Sequence, residues 1–233
     1  MEKTYLLKLL VRVFCILCFT SSAFATTGEV TDTPPTQTPI VGGETAAEGD
    51  WPWMAGVLNV DEINNYDAQF CGASVIHQRW VLTAAHCFYS DEGVQNTFAN
   101  NISILLGAYD LSLNDGQRFS VEQLIIHPNF NFSTLENDIA LIQLNAATTI
   151  TPVILAPPFI SESVFINQAS VAIGWGNTSA TEEIYADKLR QVTIPIIANS
   201  LCNRPQSLDG EVSANMLCAG LLDEGGKDSC QGD

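Results

Sequence analysis

Short apolar runs recur along this chain with turn-forming clusters between them, and they constrain its fold more than any other feature. They lie at residues 54–60, 73–76, 80–83, 102–106, 119–126, 139–144, 170–174 and 191–197. Each has strand length, and none is followed by the 3.6-residue apolar period of a crossover helix, which parallel strands require. The pattern predicts an all-β chain of antiparallel strands, closed as barrels or packed as a sandwich. In the last run Val192, Ile194 and Ile196 alternate, while Pro195 lacks a ladder donor and predicts an edge or a bulge.

With 233 residues, 46% of them hydrophobic, the chain can bury a core as one large domain or two small ones packed together. Its beginning belongs to neither. Lys3, Lys8 and Arg12 lie around and before an apolar run at 11–19, followed by small residues and Ala23-Phe24-Ala25. This is the pattern of a cleaved signal peptide over 1–25, with a mature start at Thr26, and the run is too short for a membrane span. The expectation is a secreted protein, extracellular or periplasmic, with no membrane association after signal cleavage. Removing three of the nine Lys+Arg and one of the 26 Asp+Glu leaves six basic against 25 acidic groups, a net charge of −19. Such a surface repels phosphates and excludes nucleic acid as a partner. It either attracts cationic substrates or simply keeps the protein in solution.

Residues 26–39 are polar, rich in Thr and Pro and without apolar period, so they read as a flexible pro-segment. Structure is expected from Ile40. A Pro- and Thr-rich stretch at 146–158 divides the rest into halves, 40–150 and 151–233. Three N-x-S sequons, at Asn101, Asn131 and Asn177, matter only in a host that glycosylates. Two of the seven cysteines, Cys15 and Cys18, fall in the leader, and Cys71, Cys87, Cys202, Cys218 and Cys230 remain. In an exported protein these should form disulfides, and their odd number means either a free thiol or an incomplete chain.

Acyl transfer by a hydroxyl nucleophile needs a general base, a carboxylate to orient it and backbone donors for the oxyanion. Three segments bear on this. In Val81-Leu82-Thr83-Ala84-Ala85-His86-Cys87 an apolar strand runs through small residues into a histidine. In Asn137-Asp138-Ile139-Ala140-Leu141-Ile142 a carboxylate stands at the mouth of a buried strand, where a hydrogen-bonding partner such as histidine would satisfy its charge. The third is Asp228-Ser229-Cys230-Gln231-Gly232-Asp233. Taken singly, each has a plain structural explanation, and His77 and His127 read as packing or surface histidines.

Taken together, these segments resemble the chymotrypsin/trypsin family of serine proteases. So do Ile40-Val41-Gly42-Gly43, Trp51-Pro52-Trp53, Cys71-Gly72-Ala73-Ser74-Val75-Ile76, Gly174-Trp175-Gly176 and Met216-Leu217-Cys218-Ala219-Gly220. The ordered motifs cover Ile40 to Asp233. The resemblance implies two antiparallel Greek-key six-stranded barrels, with the active site between them and the second barrel incomplete here. It implies His86 as general base and then acid, Asp138 as the group that orients it, and Gly232 as an oxyanion-hole donor. Asp228 resembles the carboxylate that pairs with a substrate Arg or Lys before the cut bond. Ser229 resembles a pocket residue and is not the nucleophile, which would follow Asp233 and is not in this sequence. The implied disulfides are Cys71–Cys87 and Cys202–Cys218, with Cys230 lacking its partner. No cofactor and no metal is implied.

In this family a cut before Ile40 frees an α-ammonium that pairs with the aspartate preceding the nucleophile, here Asp233. Pro39 departs from the Arg or Lys that precedes such a cut in trypsin-activated precursors, so an activating protease of different preference is implied. The unpaired Cys230 and the missing serine are both explained if the chain is C-terminally truncated, and a chain of these 233 residues is then expected to be inactive. The leading reading is a precursor of an endopeptidase that cuts proteins or peptides after Arg or Lys. The rival is a non-catalytic homologue serving as a secreted binding or regulatory module, against which stands the retention of both His86 and Asp138. A third reading, an acidic structural or adhesive β-protein, explains the composition and none of the motifs.

Overall fold

The computed structural model describes residues 43–157, 162–179 and 182–221. The expected leader at 1–25 and pro-segment at 26–39 lie outside the described residues. The described chain is built from strands β1 (Glu44–Thr45), β2 (Met54–Asn59), β3 (Gln69–His77), β4 (Trp80–Thr83), β5 (Ile102–Leu106), β6 (Gln117–Ile126), β7 (Ala140–Leu144), β8 (Ala169–Gly174), β9 (Arg190–Ile197) and β10 (Cys218–Ala219). Its α-helices, Asn65–Ala68 and Asn199–Cys202, are single turns.

Six strands close a barrel in the order β2-β3-β4-β7-β6-β5, with every pair antiparallel. Strands β2, β3 and β4 follow one another by hairpins, and β5 returns to lie beside β2, which is the Greek-key order. Closure removes the open edges that would otherwise invite pairing with other chains. Inward residues alternate as the pleat demands: Cys71, Ala73 and Val75 on β3, Val81 and Thr83 on β4, Ala140, Ile142 and Leu144 on β7.

Strands β2 and β5 break that alternation because both of their faces are covered. Ala55, Val57, Ile102, Ile104 and Leu106 point into the barrel core. Met54, Leu58 and Leu105 point the other way, into a second core with Ala46, Leu111, Trp175 and Leu189. A strand buried on both faces is apolar nearly throughout, and the polar exception, Ser103 on β5, is itself buried. Trp175 is fully buried there, and its Nε1 donates to the Tyr109 carbonyl at 3.2 Å. Backbone bonds Ala46 N to Leu189 O (2.9 Å) and Leu189 N to Tyr109 O (2.9 Å) run through the same region.

The second sheet, among the described residues, has β9 at its centre. Strand β8 pairs along it from Ala169↔Pro195 to Gly174↔Arg190, while β1 and β10 share its other side, at Arg190–Gln191 and Ile196–Ile197. The architecture is therefore all-β, a closed six-stranded barrel with a partial second sheet, as the two-barrel resemblance implies. Pro195 is not at the edge or bulge that the sequence predicts: it lies on the central strand, in unbroken register with β8. Its carbonyl accepts from Gly220 N at 3.0 Å, so its missing N–H lies on that same side, in the stretch that neither β1 nor β10 pairs. The stretch after β7 runs along the barrel, with Thr148 N donating to Gln78 O and Val153 N to Val75 O.

Each of the eight apolar runs is a strand, with bounds shifted by a few residues. The largest shift is β3, which begins at Gln69 where 73–76 is expected, because its first residues pair with β2 irrespective of their polarity. Strands β1 and β10 are two residues each, too short to carry any period.

Candidate active site

His86 stands where β4 leaves the barrel. Thr83 ends the strand and its Oγ1 donates to Gly72 O at 2.7 Å. Ala85 is fully buried, and the chain then makes a 3-10 turn over His86–Phe88 with Phe88 sunk in the core. Small Ala84 and Ala85 let the backbone turn against the barrel wall, and the Phe88 ring anchors the far side. Cys87 is bonded to Cys71 on β3, with Cα atoms 6.3 Å apart. The histidine is thus exposed on a turn fixed at both ends.

Asp138 arrives from the neighbouring strand. β4 and β7 pair as far as Thr83↔Ala140, so the residues just after one strand and just before the other leave the barrel side by side. The turn before Asp138 is left-handed at Leu135 (φ 53°) and Asn137 (φ 56°), a region tolerated by asparagine and costly for leucine. Asn137 is held there by its Nδ2, which donates to Asn129 O at 3.0 Å, and its carbonyl accepts from Ile139 N at 2.8 Å.

The two side chains meet twice. Asp138 Oδ1 accepts from the His86 backbone N–H at 2.8 Å, and Oδ2 lies 2.7 Å from His86 Nδ1. A carboxylate can only accept, so Nδ1 carries the proton and Nε2 keeps its lone pair. The hydrogen bond to Asp138 raises the His86 pKa above the ordinary 6.5; desolvation opposes this, and the carboxylate's charge adds to it. Burial acts to raise the Asp138 pKa, but the hydrogen bonds and charge of His86 outweigh it and hold the carboxyl below the ordinary 3.8. Nε2 lies 3.8 Å from Cys87 Sγ, which as a disulfide sulfur has no proton to give it, so the oriented imidazole keeps the basic Nε2 lone pair that general base catalysis requires.

The structure brings together His86 and Asp138, forms Cys71–Cys87, and forms Cys202–Cys218, whose Cα atoms are 6.6 Å apart. Ile40, Asp228, Ser229, Cys230, Gly232 and Asp233 lie outside the described residues. His77 and His127 face local turns, where their Nδ1 atoms accept from Arg79 N (3.3 Å) and Asn129 N (3.2 Å). The sulfur atoms of Cys71 and Cys87 lie beside His86, but they are joined to each other and supply no thiolate for a metal. Among the described residues, no helix is long and apolar enough to cross a membrane.

Sequence reasoning misses Asn215. Its Nδ2 donates to Glu136 Oε1 at 2.7 Å, tying the segment before β10 to the turn that carries Asp138. The two residues are 79 positions apart, and no local pattern announces the contact.

A family model described as Trypsin matches residues 40–233. Trypsin I-P1 of Gallus gallus is 36% identical over 196 residues, covering 83% of this chain and 71% of that protein. A trypsin of Xenopus laevis is 37% identical, covering 83% and 72%, and trypsin-1 of Astacus astacus is 33% identical, covering 83% and 79%. A match running from residue 40 to residue 233, on a barrel that seats the histidine and aspartate of its motifs against each other, places the chain in the trypsin family of serine proteases.

Proposed function

We propose that this protein is the precursor of a secreted serine endopeptidase that hydrolyses proteins or peptides after Arg or Lys. The carrying observation is the double grip of Asp138 on His86, which leaves Nε2 as the one basic ring atom. In this reading Nε2 takes the proton of a serine hydroxyl as that oxygen attacks the substrate carbonyl, and later returns it to the leaving amine. Asp138 holds the tautomer and stabilises the imidazolium. The serine that this reading requires is the residue that would follow Asp233. Gly232 N–H faces the oxyanion, and Asp228 pairs with the substrate's basic side chain.

Secretion is supported by the 1–25 leader pattern and by two formed disulfides, which persist in oxidising compartments. Basic specificity is supported by Asp228 and by the strong acidity of the chain. Activation is by a cut between Pro39 and Ile40, after which the new ammonium of Ile40 pairs with Asp233. That cut needs a protease that accepts proline before the bond. The domains are a 40–150 barrel and a 151–233 half that contributes the specificity segment. The test is cleavage of an Arg-ester by protein that carries the serine after Asp233. Hydrolysis that vanishes on His86→Ala supports the enzyme, whereas a folded, secreted product that binds but never hydrolyses supports the non-catalytic homologue. N-terminal sequencing of the active form reads Ile40 if the activation step is right.

A further inference from the structure

Three aromatic rings meet beside the His86–Asp138 pair. Tyr89 follows His86 by three residues, while Phe130 and Phe132 precede Asp138 by eight and six. Tyr89 and Phe130 meet edge to face, with centroids 5.1 Å apart and an interplanar angle of 65°. Tyr89 and Phe132 stack at 6.0 Å and 28°, and Phe130 meets Phe132 at 6.4 Å and 88°. All three lie in the separation range where ring quadrupoles attract.

A second contact to Phe132 comes from the segment that follows Tyr89. After Tyr89 the chain folds back, with Ser90 N donating to Val94 O, Gly93 N donating to Ser90 O, and Tyr89 bridged to Gln95. At its tip Gly93 has φ +73°, and a Cβ there would lie 3.0 Å from Phe132 Cδ1 and 3.3 Å from its Cγ. Any side chain there is strained at that φ and crowds the ring. The Phe132 ring is therefore in contact with both Tyr89 and Gly93. The β4–β7 ladder stops at Thr83↔Ala140, before the residues that carry the chemistry, so the clasp acts where sheet pairing has ended.

We infer that Phe132 is a positioning residue: gripped by Tyr89 and Gly93, it holds the turn carrying Asp138 against the segment carrying His86 and keeps their contact at hydrogen-bond length. Its consequence for turnover rests on the proposed role of His86, but the contact can be read without turnover. The chain has three histidines, and His77, at the end of β3, serves as the internal reference.

The experiment is an NMR titration of the three imidazoles in the unmodified protein and in Phe132→Ala, Phe132→Tyr and Gly93→Ala. In Phe132→Ala the His86 midpoint should fall to that of an unpaired imidazole and its Nδ1 proton should exchange freely. Phe132→Tyr should keep the original midpoint, and Gly93→Ala, whose Cβ would press on the ring, should shift it in the same direction as Phe132→Ala. A purely structural role would lower the melting temperature and leave the His86 midpoint in place. That result, in a Phe132→Ala protein with its barrel intact, overturns the inference. If Phe132→Ala does not fold, an unchanged midpoint in Gly93→Ala overturns it instead. In active protein that carries the serine after Asp233, Phe132→Ala should lower kcat roughly 10- to 100-fold with KM unchanged. A protein that never hydrolyses substrate but shows the titration shift defeats the proposed function and leaves the clasp standing.

Discussion

Asp138 holds His86 by two atoms at once, accepting from its backbone N–H with Oδ1 at 2.8 Å and meeting its Nδ1 with Oδ2 at 2.7 Å. One bond fixes where the residue sits and the other fixes which ring nitrogen carries the proton. Asp138→Asn keeps the shape and removes the second function, because an amide presents its NH2 to one of the two sites. If that site is Nδ1, the ring proton moves to Nε2 and the base is lost. The expected result is a fall in kcat of about 10⁴-fold at neutral pH, the size seen for triads of this family, with the fold intact. Ester hydrolysis by the variant, alongside its circular dichroism, measures both.

The same pair makes stability depend on pH in a defined window. The raised His86 pKa means that its proton-linked stabilisation is complete below the ordinary 6.5 and fades as pH rises through the folded value. The lowered Asp138 pKa means that its stabilisation is present above the ordinary 3.8 and fades as pH falls through the folded value. Both act between those values. Urea unfolding should therefore separate the unmodified protein from His86→Ala by more at about pH 5.5 than at about pH 8.5. The bond from neutral Nδ1–H survives at the higher pH, so the gap shrinks without closing.

Cys71–Cys87 spans a sequence separation of 16 and anchors the turn bearing His86 to β3. Replacing both cysteines with serine should cost about 3 kcal/mol, from the released loop entropy of the unfolded chain. Thermal unfolding of the double variant reads this directly. The same change should broaden or shift the His86 resonances, since Cys87 adjoins His86.

The six runs of the barrel and the two of the second sheet are legible because β-pleating imposes a period of two where one face is covered, and nearly unbroken apolarity where both are. His86 and Asp138 are legible through the family motifs around them; that Val81-Leu82-Thr83 and Ala140-Leu141-Ile142 deliver them to the same rim is seen only in the β4–β7 pairing. What the chain hides are contacts with no local period. Asn215 reaches Glu136 across 79 positions, and Glu44–Thr45 pairs with Arg190–Gln191 through too few residues to show a pattern. The left-handed Leu135 is hidden for another reason: leucine has no preference for that conformation, and only the folded turn imposes it.

Trp175 tests the second core, where β2 and β5 turn their outer faces toward Leu189 and Ala46. It is fully buried, and its Nε1 is bonded to Tyr109 O. Trp175→Ala should destabilise the protein by about 3–5 kcal/mol, combining lost burial with a cavity. Chemical denaturation measures the change, and a loss under about 1 kcal/mol would mean that this core adds little to the fold.

The central claim is that His86 is the general base of a serine endopeptidase. The most direct measurement is kcat/KM for an Arg-containing peptide ester, using activated protein that carries the serine after Asp233 and its His86→Ala variant. The account predicts robust hydrolysis by the first and a loss of roughly 10⁶-fold in the second, with substrate binding retained. Equal rates in the two proteins would contradict it.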